Sequence, residues 1–262
     1  MHRNILDFTG KSVFITGGAS GIGRATALAF AQHGASVAII DQDDKGGAET
    51  SDNLRAAGAR ALYVRADVTK AAEVESALQQ AIKAFGRVDC AFNNAGITIP
   101  ARPLGELDEA SFDRIVEVDL KGVFLCLTYQ LRHMIATGSG AIVNTASVAG
   151  LVPEAGSAAY VAAKHGVIGL TKTAALENAH RGIRVNALAP GWVRTAMTRK
   201  WDDDAQFNAK LRAATPMHRG AEPEEISGMV LFLCSPAASY ITGQVFTVDG
   251  AQTIRGLLPP RY

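Results

Sequence analysis

Cysteine, clustered histidine, charge of one sign and long apolar runs are all scarce in this sequence, and each scarcity closes off a class of function. Cysteine occurs three times in 262 residues. Cys90, Cys126 and Cys234 each sit in an apolar run (VDCAF, VFLCL, LFLCS), far from one another. An odd count without framework spacing reads as small buried hydrophobes in a reducing compartment, not as a disulfide scaffold. The six histidines show no metal-ligand spacing, so no metal is expected. Basic and acidic residues nearly cancel, leaving a formal net charge of +1 spread along the chain. That balance argues against a nucleic-acid footprint or an electrostatic membrane anchor. Gly, Ser or a charge interrupts every apolar stretch before membrane-spanning length, and MHRNILDFTGK lacks the apolar core of a signal peptide. The expectation is a soluble cytoplasmic protein without a nucleic-acid or membrane partner.

What is present is a regular alternation. Hydrophobic residues make up 48% of the chain, enough for a large core. Short β-branched runs lie at Ser12–Thr16, Ser36–Ile40, Ala59–Val64, Val88–Phe92, Ala141–Ala146, Ile183–Leu188 and Gln244–Asp249. Helical patterns separate them, among them a long one over Asp108–Met134, one over Ser157–His180 and one over Pro223–Cys234. Seven strands joined by helices predict an α/β fold: a doubly wound parallel sheet with helices on both faces, since parallel strands need crossovers. No low-complexity linker divides the chain, so residues 1–262 are read as a single domain. The polar, mixed stretch 195–219 breaks the rhythm and is expected to be an insertion acting as a lid.

The first strand runs into Thr16-Gly17-Gly18-Ala19-Ser20-Gly21-Ile22-Gly23 and then a helix. Glycines there let the chain turn sharply and let backbone N–H groups approach a pyrophosphate at the helix N-terminus. Gly17, Ser20, Gly21, Ile22 and Gly23 are therefore candidate dinucleotide contacts, although the spacing is not the common G-x-G-x-x-G. Asp41 ends the second strand, where a carboxylate accepts hydrogen bonds from ribose hydroxyls and repels a 2′-phosphate. Capping of the next helix is its other reading. NAD is the expected cofactor. Asp67-Val68 and Asn93-Asn94-Ala95-Gly96 lie at later strand ends, with Asp67 placed to meet adenine and Asn93 read as both a cofactor contact and a tie between loops.

Chemistry is concentrated in Ser157–His165 (SAAYVAAKH). Tyr160 and Lys164, four apart on a helix, share a face. A tyrosine has a pKa of about 10, too high for a base near neutrality. A neighbouring ammonium favours the phenolate, and lowering the pKa by about three units corresponds to roughly 4 kcal/mol. Ser147 follows the strand Ala141–Ala146, where its hydroxyl can hold a substrate oxygen beside Tyr160.

Taken together, Thr16-Gly17…Gly21-Ile22-Gly23, Asn93-Asn94-Ala95-Gly96, Ser147, Tyr160…Lys164 and Pro190-Gly191 with Thr195 resemble the short-chain dehydrogenase/reductase family over essentially the whole length. The resemblance implies a Rossmann-type fold and hydride transfer between a nicotinamide cofactor and a secondary alcohol or ketone. It assigns carbonyl polarisation to Ser147, proton transfer to Tyr160 and a hold on the nicotinamide ribose to Lys164. It gives Pro190, Gly191 and Val193 to the carboxamide and Thr195 to the cofactor near its phosphates, and it implies a homotetramer. One position departs from the family pattern: Asp119, in Val118-Asp119-Leu120-Lys121-Gly122, stands where the family carries an Asn. If only its backbone carbonyl serves a relay water near Lys164, the exchange is mild; if the carboxylate faces the site, it opposes phenolate formation. The mild case is the expectation, with Asp119 as the fourth catalytic position.

Val152, Pro153 and Ala155, with Trp192, Met197, Trp201 and Phe207, are expected to wall a small, largely hydrophobic substrate, or simply to pack the lid. The acids Asp202–Asp204 read as a solvated face or a helix start. The tail 256–262 is a candidate cover for a neighbour's site. Two rivals stay open: an NADPH-dependent reductase of the 3-oxoacyl type, and a dinucleotide sensor of the same fold without catalysis.

Overall fold

A computed structural model describes residues 5–254; the tail expectation lies outside them. The apolar runs form seven parallel strands, β1 (Ser12–Thr16), β2 (Ser36–Asp41), β3 (Ala61–Arg65), β4 (Cys90–Asn93), β5 (Gly140–Thr145), β6 (Ile183–Pro190) and β7 (Val245–Val248). Their order is β3-β2-β1-β4-β5-β6-β7. The order reverses between β1 and β4, and the crevice outside the carboxyl ends of such a pair is where a doubly wound sheet binds ligands.

Successive side chains on β1 go to opposite faces, so each strand feeds two cores. Phe14 joins the core beneath α3 (Ala71–Phe85), α5 (Gly122–Thr137) and α6 (Ala158–Asn178). Val13 and Ile15 join the other, where α1 (Gly21–Gln32) brings Phe30, α2 (Asp44–Ala56) brings Leu54 and α9 (Pro223–Cys234) brings Ile226 and Val230. Local chemistry sets the helix starts. The Asp43 carboxylate accepts from Gly46 N–H to begin α2, and Pro223 occupies the first turn of α9, where its missing N–H costs nothing.

The long helical pattern over Asp108–Met134 is interrupted. Helix α4 (Glu109–Val116) and α5 are joined by a π turn, Glu117–Lys121, that widens the coil and turns Asp119 inward. Apolar periodicity does not reveal such a turn, because an added residue shifts the phase without changing which residues are apolar. The stretch after β6 folds as two short helices, α7 (Arg199–Asp203) and α8 (Ala205–Ala214). Asp204 caps α8 by accepting from the Gln206 and Phe207 N–H groups, the helix-start role expected of the acidic run. No helix among the described residues is long and apolar enough to cross a membrane.

Candidate active site

The carboxyl ends of the strands border one cleft of about 710 Å³ that runs from the Gly-rich turn to α7 and α8. At its dinucleotide end the chain is drawn tight. Gly17 has φ +67°, and a Cβ there would meet the Ala95 backbone and the Asn94 amide. Thr16 Oγ1 accepts from the N–H groups of Asn94 and Ala95 at 3.0 and 3.1 Å, clamping the β4 loop onto the turn. Ser20 precedes α1 and makes no side-chain cap, so the first N–H groups of that helix face the cleft without an internal acceptor.

Asp41 borders the cleft, with Oδ2 accepting from Ala19 N–H at 3.0 Å and Oδ1 from Asp43 N–H at 3.1 Å. The helix-capping alternative belongs to Asp43 instead. Every expected cofactor position borders the cleft except Gly23, Asp67 and Asn93. Gly23 packs beneath the turn, where a Cβ would strike the Gly17 carbonyl. Asp67 builds its own loop, Oδ1 accepting from Thr69 N–H and Oγ1 at 2.9 and 2.8 Å, while Ala66 and Val68 form the wall. Of the two readings of Asn93, the structural tie is the one its side chain makes. It is 1% exposed, its amide nitrogen donates to Gln130 and Asn144 at 2.9 Å each, and its oxygen accepts from Gln130 at 2.7 Å. The neighbour that does reach the cleft is Asn94, whose amide donates to the Thr16 and Gly17 carbonyls at 3.3 and 3.4 Å. The strand's end at Asn93 was the signal: the last strand residue is buried and the next one is free to face the crevice.

The catalytic end is built by β5 and α6. Ser147 heads a short turn, its Oγ accepting from Ala149 N–H at 3.1 Å, and its own hydroxyl proton remains to donate. Tyr160 and Lys164 lie one turn apart on α6, with Nζ 5.3 Å from the phenol ring centre. Nζ donates to the Thr145 carbonyl at 3.0 Å and lies 3.2 Å from Asp119 Oδ2. The Asp119 carboxylate, fully buried, also accepts from Ile97 N–H at 2.8 Å. A Cβ at position 96 would sit 3.0 Å from Asp119 Oδ2, close enough that the carboxylate would have to give way.

The expectation that Asp119 acts through its backbone alone is therefore corrected, because its carboxylate faces Lys164 directly. In the protein without cofactor, Lys164 alone does not depress the Tyr160 phenol. The phenol is held above its ordinary value, first by burial and then by Asp119 and Glu154, against the opposing pull of Lys164 and the Ser147 hydroxyl. Burial works against the Lys164 ammonium, but Asp119 and Tyr160 outweigh it and keep that group above its usual range.

On the remaining walls, Ala155, Trp192, Met197, Trp201 and Phe207 face the cleft as expected, with Trp201 and Phe207 ring centres 6.0 Å apart. Val152 and Pro153 do not. Val152 is exposed, and Pro153 lies on an outer groove beside His165, which Glu154 borders as well as the cleft. Sequence reasoning missed Glu154 and the apolar Ile97, Ile99 and Leu107, which belong to a loop whose path no periodicity marks. Among the described residues no cluster of His, Cys, Asp and Glu could hold a metal.

Residues 17–253 match a family model described as enoyl-(acyl carrier protein) reductase. Cis-4-hydroxycyclohexanecarboxylate dehydrogenase of Sinomonas cyclohexanicum is 46% identical, over 94% of this chain and 98% of that protein. Cyclohexanol dehydrogenase of Acinetobacter sp. (strain SE19) is 40% identical, over 94% of this chain and 96% of its own length. The crystal structure of levodione reductase superposes with a TM-score of 0.91 at 39% identity, covering 94% of this chain and 98% of that one. Solved neighbours at 32% and 36% identity hold NADP (an Agrobacterium tumefaciens protein) and NADH (a 3-ketoacyl-(acyl-carrier-protein) reductase from Brucella melitensis), with TM-scores of 0.89 and 0.88.

Proposed function

The chain belongs to the short-chain dehydrogenase/reductase family of oxidoreductases, and from that premise we propose that it interconverts a small carbocyclic secondary alcohol and its ketone with NAD as cofactor. The observation that carries the reaction is the convergence of Ser147, Tyr160 and Lys164 on one cleft with the Gly-rich turn at its far end. Relatives named for ring alcohols and a ring ketone support the substrate class. So does a wall of Ile97, Ile99, Leu107, Trp192 and Met197, apolar and broad enough for a ring.

The residues present fit a dinucleotide. Gly17 leaves a cradle that a Cβ would fill, and the uncapped start of α1 offers N–H groups to a pyrophosphate. Asp41 on the cleft wall offers a carboxylate suited to ribose hydroxyls, and the first two strand–helix units contribute no cation to that wall. Arg24, directly after the Gly-rich turn, is committed to the Ala19 carbonyl and to Glu49. That arrangement supports NAD over NADP.

When bound, the nicotinamide supplies the hydride acceptor for oxidation or the donor for reduction. In oxidation, Ser147 Oγ–H would hold the substrate oxygen while the Tyr160 phenolate takes its proton. Lys164 steadies the phenolate through space and keeps its own position by donating to the Thr145 carbonyl. Asp119 holds Lys164 from the far side and carries a negative charge toward the same phenol. In reduction the proton travels the other way, from Tyr160 to the carbonyl oxygen.

Exposed Phe112, Phe124 and Ile135 on α4 and α5 support self-association, and the homotetramer expected of the family is the state to be read by light scattering. The decisive measurement follows NADH absorbance with a panel of cyclic and open-chain secondary alcohols, each offered NAD⁺ and NADP⁺. Turnover with NAD⁺ and a ring alcohol is the expected result. Equal or better use of NADP⁺ would favour the NADPH-dependent alternative, and cofactor binding without turnover would favour the sensor.

A further inference from the structure

The substrate half of the cleft contains a carboxyl group that the reaction above does not use. Glu154 sits in the loop between the Ser147 turn and α6, and its side chain borders the cleft. Four acidic residues border that cleft, Asp41, Asp43, Asp119 and Glu154. Three of them are engaged. Asp41 accepts from Ala19 and Asp43, Asp43 from Gly46, and Asp119 from Ile97 beside Lys164. Glu154 alone of the four has no hydrogen-bond or ion-pair partner for its carboxyl among the described residues. It lies near enough to the reacting centre for its charge to be felt at the Tyr160 phenol. Partial desolvation also raises its carboxyl above the ordinary range, although the side chain stays exposed. That exposure is at the cleft border, so water serves its lone pairs and a substrate donor takes the place of that water.

Charge on the other walls narrows the donor. Arg114 and Lys200 border the same cleft and have no carboxylate partner among the described residues. A substrate ammonium would meet both of them, and a substrate carboxylate would meet Glu154. A neutral hydroxyl is the donor that all three tolerate. We propose that Glu154 is a specificity residue that accepts a hydrogen bond from a second hydroxyl of the substrate, so that ring diols are preferred to ring monoalcohols. The proposal rests on the carbocyclic-alcohol reading above.

The test measures kcat/KM with NAD⁺ for cyclohexanol and for cis- and trans-1,4-cyclohexanediol and 1,2-cyclohexanediol, in wild type, Glu154→Gln and Glu154→Ala. Taking the diol-to-monoalcohol ratio within each protein cancels the influence of Glu154 on Tyr160, which both substrates share. Wild type is expected to favour at least one diol, and the substitutions to cut that ratio about tenfold, the size of a lost charge-assisted hydrogen bond. A third substrate, 4-hydroxycyclohexanecarboxylate, separates hydrogen bonding from charge. A gain confined to that anion, with the diol ratio unchanged, would make Glu154 only a charge on the wall and overturn the proposal. Turnover of ring alcohols with unchanged ratios overturns this inference alone; no turnover of any ring alcohol by wild type removes the carbocyclic reading, and this inference with it.

Discussion

Tyr160 stands between opposing charges. Lys164 and Ser147 favour its phenolate, while burial, Asp119 and Glu154 disfavour it. Oxidation needs the deprotonated phenol, so its rate should rise with pH through the Tyr160 titration. Removing the Asp119 charge removes one of the influences holding that titration high. In Asp119→Asn the acid limb of the kcat profile for alcohol oxidation should therefore move to lower pH, by about one unit. A limb that stays in place would mean the carboxylate exerts no net effect at the phenol. Tyr160→Phe keeps the ring and its packing but has no proton to move, and should cost kcat about 10²- to 10⁴-fold while NAD⁺ still binds by fluorescence titration. The pairing of Tyr160 with Lys164 was legible because four residues make one helical turn. The direction of the phenol's shift was not, since it depends on burial and on where Asp119 points, neither of which is written in spacing.

Among the elements, α6 is registered against the sheet by a buried polar chain. Gln130 on α5 exchanges two hydrogen bonds with Asn93 on β4, Asn93 donates to Asn144 on β5, and Asn144 donates to Thr171 on α6 at 2.9 Å. Every member is satisfied inside the protein, so deleting one strands its neighbours. Asn93→Ala should lower unfolding free energy by about 1–3 kcal/mol in urea titrations. Its effect on the NAD⁺ dissociation constant should be smaller than that of Asp41→Ala, which removes a group from the cleft wall itself. The opposite ranking would restore a direct cofactor role to Asn93. Strands β1 and β6 and helix α9 could be read nearly residue by residue, because apolar runs and the Pro223 start are local signals. The π turn at Glu117–Lys121 and the course of the loop that carries Glu154 were illegible, because both are set by what the chain packs against.

Across the whole molecule, stability divides between the two faces of the sheet. Phe30 is fully buried and meets Phe8 edge-on, with ring centres 4.8 Å apart, on the face opposite α6. Phe30→Ala should therefore destabilise the fold by about 3–5 kcal/mol, read as a lower urea midpoint, while leaving the groups around Tyr160 in their own core. The seven-stranded order was foreseeable in outline, since alternating runs and crossovers admit few alternatives. Which strand ends would share one cleft was foreseeable only through the reversal between β1 and β4. At the end of β2 Asp41 has two tasks, since the carboxylate offered to a ribose also fastens Ala19 and Asp43. Retooling the protein for a phosphorylated cofactor by exchanging Asp41 alone would thus unbutton the loop while changing its charge. A designer would have to graft a substitute fastener in the same step, and a library varying position 41 by itself should return mostly slackened proteins that have lost NAD without gaining NADP.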